Sequence, residues 1–384
     1  MSIGRIRIET FRRKGNIPTA VVSEILAPVW RRVVSRRVVE EATEPMAWRK
    51  GLLLGANHIG DMLYCSRGLL ALKEALPNCR WDVCAFGPAA EGVESHPAIR
   101  RCFPLLVKLP RAFLKQRSVL ADLQRERYDV ACCYDSGGYW PGQIIAAALG
   151  IPNRVGYVHK GLSALVNHPI AIDYPQPYPA YFSDLVHQLV PAHPFDRKEL
   201  RPVVFPTGDD EQEASEFLRR HGVSERDRLV AVFASTRQPS SLWPREHLVR
   251  LLELFDEHRI GRIILGGGKD DRPLMDSMAQ AAGVDCIVAA GSLSVRGTYC
   301  MLKRCAAVLT PDSGPRHLAN AANVPTFFFR NLRSEKIVTG TYCSTEVDLV
   351  KADREELGAR ARRRVLHEIS PESVFEKMTS RLDV

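Results

Sequence analysis

Twice along this chain, short apolar runs alternate with longer segments of helical periodicity, and a proline-rich tract separates the two stretches. In the first stretch, Gly51–Ala56, Trp81–Phe86 and Tyr128–Tyr134 read as buried strands. Between the first two, Met62–Leu76 carries apolar residues at 62, 63, 69, 70, 72 and 76, and stops at Leu76-Pro77-Asn78. Asp135-Ser-Gly-Gly138 leads into an Ala-rich helix near Gln143–Leu149. In the second stretch the spacing predicts strands over Leu229–Ala234, Arg262–Leu265, Asp285–Ala289, Ala307–Thr310 and Val324–Phe329. Helices are expected over Arg245–His258, Pro273–Ala282, Thr298–Arg304 and Gly314–Ala322. Short apolar strands separated by helices imply parallel sheets covered on both faces. The fold class is therefore α/β, with two Rossmann-like doubly wound domains facing a central cleft.

Eight prolines fall between residues 169 and 206, around one potential helix near Tyr181–Leu189. The expected organisation follows from that tract: an extension over 1–47, a first domain over 48–168 and a connector over 169–206. A second domain over 207–345 and a helical tail over 346–384 complete it. A length of 384 residues is ample for two cores.

The formal net charge is +9, and residues 1–50 alone carry 11 Lys/Arg against 5 Asp/Glu, a net of +6. Only +3 remains for the body, which argues against a nucleic-acid partner. A helix from about Pro18 to Glu41 would set Val21, Val22, Ile25, Val29, Val33 and Val34 opposite Arg31, Arg32, Arg36 and Arg37. Such a helix suits peripheral contact with an anionic membrane through residues 1–47, or packing on its own domain. No run approaches the ~18 apolar residues of a spanning helix. The front segment also lacks the layout of a signal peptide, so a cytoplasmic location is expected, at the inner membrane face if that contact forms. The ten cysteines show no metal-finger spacing and no CxxC pair, and Cys132-Cys133 sits in an apolar run as small core residues. No metal site is expected.

Two strand-to-helix turns carry the candidate chemistry. In Leu309-Thr-Pro-Asp-Ser-Gly-Pro-Arg-His-Leu-Ala319, a strand gives way to a tight turn and then a helix with Pro315 early in it. Backbone N–H groups around Ser313–Arg316 would point outward from the helix's positive end, a place for a phosphate or diphosphate. Asp312 would project at the strand's C-terminal edge; the bland alternative is N-capping by Asp312 or Ser313. In Gly55-Ala-Asn-His-Ile-Gly-Asp-Met62, Gly60 permits close approach, and Asp61 begins the helix. Asp61 can accept a proton from an incoming hydroxyl, or serve as an ordinary N-cap, with His58 beside it. Ala234-Ser-Thr-Arg237 offers two hydroxyls and a guanidinium to phosphate oxygens. Gly266-Gly-Gly-Lys-Asp-Asp271 is not a P-loop. Trp243-Pro244 is expected to anchor the start of a helix.

From about Lys50 to Asn331 the chain resembles the glycosyltransferase family 9 heptosyltransferases, which have the two-domain GT-B fold. The carriers are Ile59-Gly60-Asp61 before a helix ending Leu-Lys-Glu-Ala-Leu-Pro77, and Ser235-Thr236-Arg237 before Trp243-Pro244. Leu265-Gly-Gly-Gly268 and Asp312-Ser-Gly-Pro-Arg-His-Leu-Ala319 before Val324-Pro325-Thr326 complete them. The resemblance implies an inverting, metal-independent glycosyltransferase without a cofactor. Its donor would be a nucleotide sugar, typically ADP-heptose, and its acceptor a hydroxyl of a glycan or glycolipid such as lipopolysaccharide core. By position, Asp61 matches the family's general base, and Ser235 and Thr236 its diphosphate-binding hydroxyls. Asp312 matches the residue at the donor sugar, with Ser313, Gly314, Pro315 and His317 around the diphosphate and Asp270 near the nucleoside. The family usually has a lysine two residues before Trp-Pro; Ser241 stands there, and Arg237, Arg245 or Lys269 would have to replace it. That departure keeps two alternatives open: another donor or acceptor, such as a protein or a secondary metabolite, and a catalytically silent sugar-nucleotide-binding protein.

Overall fold

The computed structural model describes residues 42–55, 58–105, 116–134, 141–157, 165–173, 175–193, 199–236, 242–332, 335–352 and 364–382. The helix expected over Pro18–Glu41 lies outside the described residues, as do Arg237 and Ser241. The chain divides into two compact units, Met1–Leu200 and Arg201–Val384.

In unit 1 the strands are β1 (Lys50–Leu54), β2 (Arg80–Phe86), β3 (Ile99–Leu105), β4 (Val130–Cys133), β5 (Asn153–Tyr157) and β6 (His168–Ile170). The helices are α1 (Ile59–Ala75), α2 (Gly87–Glu91), α3 (Arg117–Arg125), α4 (Pro141–Ala148) and α5 (Tyr178–Leu189). The strands pair in parallel in the order β3-β2-β1-β4-β5-β6. Alternation on β4 sorts its side chains: Val130 and Cys132 join the core under α1 and α5, while Ala131 and Cys133 join the core under α3 and α4. Helices therefore cover both faces, and the adjacent cysteines are core residues as expected; all ten cysteines are free thiols. The segment after residue 41 is tied to the starts of the strands. Thr43 N donates to Asn153 Oδ1 at 2.8 Å, and the backbone N–H groups of Arg49 and Lys50 converge on Asp129 Oδ2. At the same edge the fully buried Asp82 accepts from Arg100 and from the Tyr128 hydroxyl, at 2.7 Å for the latter.

Unit 2 repeats the plan. Its strands are β7 (Leu229–Phe233), β8 (Arg262–Gly266), β9 (Cys286–Val288), β10 (Ala307–Pro311), β11 (Thr326–Phe329) and β12 (Glu346–Asp348), ordered β12-β11-β10-β7-β8-β9, all parallel. Its helices are α6 (Gly208–Arg220), α7 (Arg245–Glu257), α8 (Arg272–Ala282), α9 (Val295–Leu302), α10 (Gly314–Ala321), α11 (Lys336–Thr339) and α12 (Pro371–Leu382). α6 begins at a reciprocal cap in which Thr207 and Asp210 exchange hydrogen bonds, a start signal that apolar periodicity does not reveal. β12 falls inside the tail expected from 346 but belongs to the sheet. Trp243 has the anchoring role: its ring stacks on Phe329 at 4.9 Å, and its Nε1 donates to the Ile369 carbonyl at 3.0 Å.

Candidate functional site

In a doubly wound sheet the crevice for a ligand opens where the strand order reverses, beyond the C-terminal ends of the strands. In unit 1 that point lies between β1 and β4, where Leu54 pairs with Cys133. β1 runs into Gly55, whose φ of 146° suits glycine. His58 follows in extended conformation and exposed, and it caps α1; the helix begins at Ile59. Asp61 is thus the third helical residue and neither starts nor caps the helix. The reason is that the His58 carbonyl already accepts from Met62 N at 3.3 Å. Asp61 is half-buried in the first turn, where the helix dipole favours a carboxylate. Gly60 beside it is buried.

The same helix is held by a histidine that sequence reasoning did not single out. His96 is 2% exposed; its Nε2 donates to the Ser66 carbonyl of α1 at 2.9 Å, and its Nδ1 accepts from Ala98 N at 3.1 Å. Burial depresses its pKa to about 4, against a smaller raising effect of the Ser66 bond. The ring is neutral at pH 7.

In unit 2 the reversal lies between β7 and β10, where Leu309 pairs with Val232. Ser235 and Thr236 leave the end of β7, and Asp312 and Ser313 leave the end of β10, so adjacent strands bring both predicted segments to one crevice. Ser235, Thr236, Asp312, Ser313, Gly314 and Pro315 are all half-buried there. Ser313 is the residue before α10, and its Oγ lies 3.5 Å from Thr310 Oγ1. The set of outward N–H groups is smaller than expected. Arg316 N is bonded to the Ser313 carbonyl at 3.1 Å and Pro315 has no N–H, which leaves Ser313 and Gly314 to face a ligand. Asp270 sits on a short 3-10 turn over Lys269–Asp271 after β8, exposed to solvent.

Asp312 does not stand clear of the strand. One helical turn on, Arg316 Nη1 donates to its Oδ1 at 2.8 Å, and the side chain is 8% exposed. Burial lifts the Asp312 carboxyl above its ordinary value, and the Arg316 guanidinium opposes that rise. Arg316 is itself 1% exposed. Its Nε donates to Glu346 Oε1 at 2.6 Å, and its Nη atoms donate to the carbonyls of Thr339 and Gly340 at 2.8 and 2.6 Å. Its guanidinium lies over Phe328, 3.6 Å from the ring centroid, with Tyr342 at 5.1 Å. His317 is buried, with Nδ1 2.5 Å from Tyr342 Oη. Burial pushes the imidazole pKa well below and the phenol pKa well above their ordinary values. Both rings are therefore neutral, and the short contact between them is a hydrogen bond between two uncharged groups. Sequence reasoning missed Arg316, Glu346 and Tyr342 as members of this site. Glu346 and Tyr342 lie 26 or more positions after Arg316, so no local pattern in the motif could have found them.

Among the described residues, no group of three or more His, Cys, Asp or Glu is placed to hold a metal ion, and no helix is long and apolar enough to cross a membrane. The model for glycosyltransferase family 9 (heptosyltransferase) matches residues 116–328, more than half of the chain. The lipooligosaccharide heptosyltransferase 2 of Haemophilus influenzae is 24% identical over 282 residues, 71% of this chain and 81% of that protein. Among solved structures, the glycosyl transferase family 9 from Veillonella parvula superposes with a TM-score of 0.73 at 19% identity, covering 89% of this chain and 99% of that one. The Escherichia coli ADP-heptose lps heptosyltransferase II gives 0.68 at 19% identity, covering 87% and 98%. These likenesses establish the GT-B fold.

Proposed function

Because the chain belongs to glycosyltransferase family 9 and is a glycosyltransferase, we propose that it transfers heptose from ADP-heptose to a hydroxyl of a lipopolysaccharide-core glycan, with inversion and without a metal. The observation that carries this reading is the crevice of unit 2. Two hydroxyl residues, Ser235 and Thr236, share it with the N-terminus of α10 and with a carboxylate, Asp312. That set suits a diphosphate sugar: hydroxyls and helix N–H groups for the phosphates, the carboxylate for sugar hydroxyls. In the reaction, the acceptor oxygen bonds to the anomeric carbon as Asp61 takes its proton, and the bond from that carbon to the diphosphate oxygen breaks. The electron pair leaves with ADP. The partial positive charge at Ser313 and Gly314, with the Ser235 and Thr236 hydroxyls, stabilises the developing charge where other transferases use a cation. His317, Asp270 and Arg237 complete the donor site, and His58 and Gly60 adjoin the base.

The same reading puts the enzyme on the cytoplasmic side of the membrane, with residues 1–47 touching anionic lipid; the net charge of +6 over residues 1–50 supports it. Ser241, where the family usually has lysine, favours one second reading, a different nucleotide sugar.

The test is ADP release by the purified full chain with ADP-heptose and a core acceptor, beside Asp61→Ala. Wild type should turn over, and the variant should lose roughly 10²–10⁴ in kcat while keeping its donor affinity. A wild-type protein that binds ADP-heptose yet neither hydrolyses nor transfers it is a silent binder. If no nucleotide sugar in a donor panel raises the Tm, the crevice is not a donor site.

A further inference from the structure

Beside the donor-side crevice lies a buried cation, Arg316, whose guanidinium is already engaged by the protein through four of its N–H bonds and one ring face. Arg316 bonds Asp312 Oδ1, Glu346 Oε1 and the carbonyls of Thr339 and Gly340, with the ring of Phe328 against its plane. We propose that Arg316 is the positioning residue of the donor site: held in one orientation by Glu346 and Phe328, it fixes the Asp312 carboxylate for the sugar of the donor.

Each part of this clamp is itself held. Glu346 Oε1 also accepts from Asn320 Nδ2 at 2.7 Å, and its Oε2 accepts the backbone N–H groups of Tyr342 and Cys343 at 2.7 and 3.1 Å. The guanidinium is a planar fork whose donors point in set directions, so bonding on four sides leaves it no rotation. Asp312 sits at the end of β10, where its backbone is also fixed by a bond from its N–H to the Phe329 carbonyl at 3.1 Å. A carboxylate fixed at both its backbone and its oxygen presents one geometry to a sugar hydroxyl, and such pre-organisation is what a binding site needs. The diphosphate contacts are separate. Ser235, Thr236 and the Ser313 and Gly314 N–H groups do not touch Arg316 in this network.

That separation gives the test, which rests on the reading that Asp312 meets the donor sugar. Affinities for ADP-heptose and for ADP alone are measured by calorimetry on the full chain, as wild type, Arg316→Lys, Asp312→Ala and the double variant. Lysine keeps the charge but has no fork to serve Asp312 and Glu346 together. Arg316→Lys should weaken ADP-heptose by roughly tenfold to a hundredfold, leave ADP within about twofold, and add little once Asp312 is already Ala. Equal losses for both ligands would mean a collapsed loop and overturn the proposal, as would no loss for either. If Asp312→Ala itself spares ADP-heptose, the assignment of Asp312 to the sugar fails. If Asp312→Ala weakens ADP-heptose and Arg316→Lys does not, the positioning role alone fails. Should Arg316→Lys not fold, Glu346→Gln, which loosens the clamp and leaves the Asp312 partner in place, is read by the same two affinities and decides by the same ratio.

Discussion

His96 makes the helix that carries Asp61 sensitive to acid, and the size of the effect follows from its surroundings. The ring is 2% exposed and both nitrogens are engaged. A second proton would have to enter at Nδ1, where the Ala98 N–H already points. The unfolded chain binds that proton below its ordinary pKa of 6.5, whereas the folded chain resists it down to about 4. The folded pKa is depressed, so the unfolded state binds more protons and stability falls as pH falls through this window. Between pH 7.5 and 5.5 the loss is about 1.4 kcal/mol, and it approaches about 3 kcal/mol below pH 4. In His96→Gln the amide can still donate to Ser66 but has nothing to titrate. The variant should start less stable by about 1–3 kcal/mol at pH 7.5, and then lose about 1.4 kcal/mol less than wild type on going to pH 5.5. Hydrogen exchange of the α1 amides along a urea series, corrected for intrinsic rates, measures both quantities in unit 1. Carboxylates titrate alike in the two proteins and cancel in the difference. Equal losses in wild type and variant would refute the argument.

Three further outcomes are expected. Asp82→Ala orphans the buried Tyr128 hydroxyl and releases Arg100; thermal unfolding should show a cost of about 3 kcal/mol, with donor affinity unchanged because this cluster is at the strand starts. Gly266→Ala would drive a methyl group into the Phe233 ring at the end of β7; denaturant titration should show a loss of about 1–3 kcal/mol, and an unchanged midpoint would contradict the packing. Exhaustive chelation should leave transfer within about twofold of the untreated rate if α10 supplies the positive potential; loss of activity restored by a divalent cation would remove that role.

How much of this was legible beforehand depended on the range of the interactions. Strongly periodic or wholly apolar segments such as Leu229–Phe233 and Arg245–Glu257 were readable because their own side chains define them. β3 was not, because Ile99–Leu105 carries two exposed arginines and a proline and is a strand through pairing with β2. β5 escaped because polar Asn153 and Arg154 are buried there by bonds to distant backbone groups. In unit 1, motif spacing brought out Asp61 in the first turn of α1, and in unit 2 it brought out Ser235 and Asp312, which follow strand ends. It gave no hint that the arginine inside the same motif is buried, since Glu346 lies thirty residues away in sequence. The start of α1 was misplaced for a local reason: the turn closes on the His58 carbonyl, which no side chain reports.

The chain's last helix also bears on how the protein can be cut and tagged. The Ile369 carbonyl receives both Trp243 Nε1 and His247 Nδ1, at 3.0 and 3.1 Å, and Val374, Met378 and Leu382 of α12 belong to the core of unit 2. A fragment of unit 2 ended after β12 would therefore lose a wall of its own interior, and with it the hold on Trp243 at the start of α7. A usable fragment boundary lies beyond Leu382, and a bulky fusion placed close behind α12 would press on the same contacts that seat Trp243 and His247 at the start of α7.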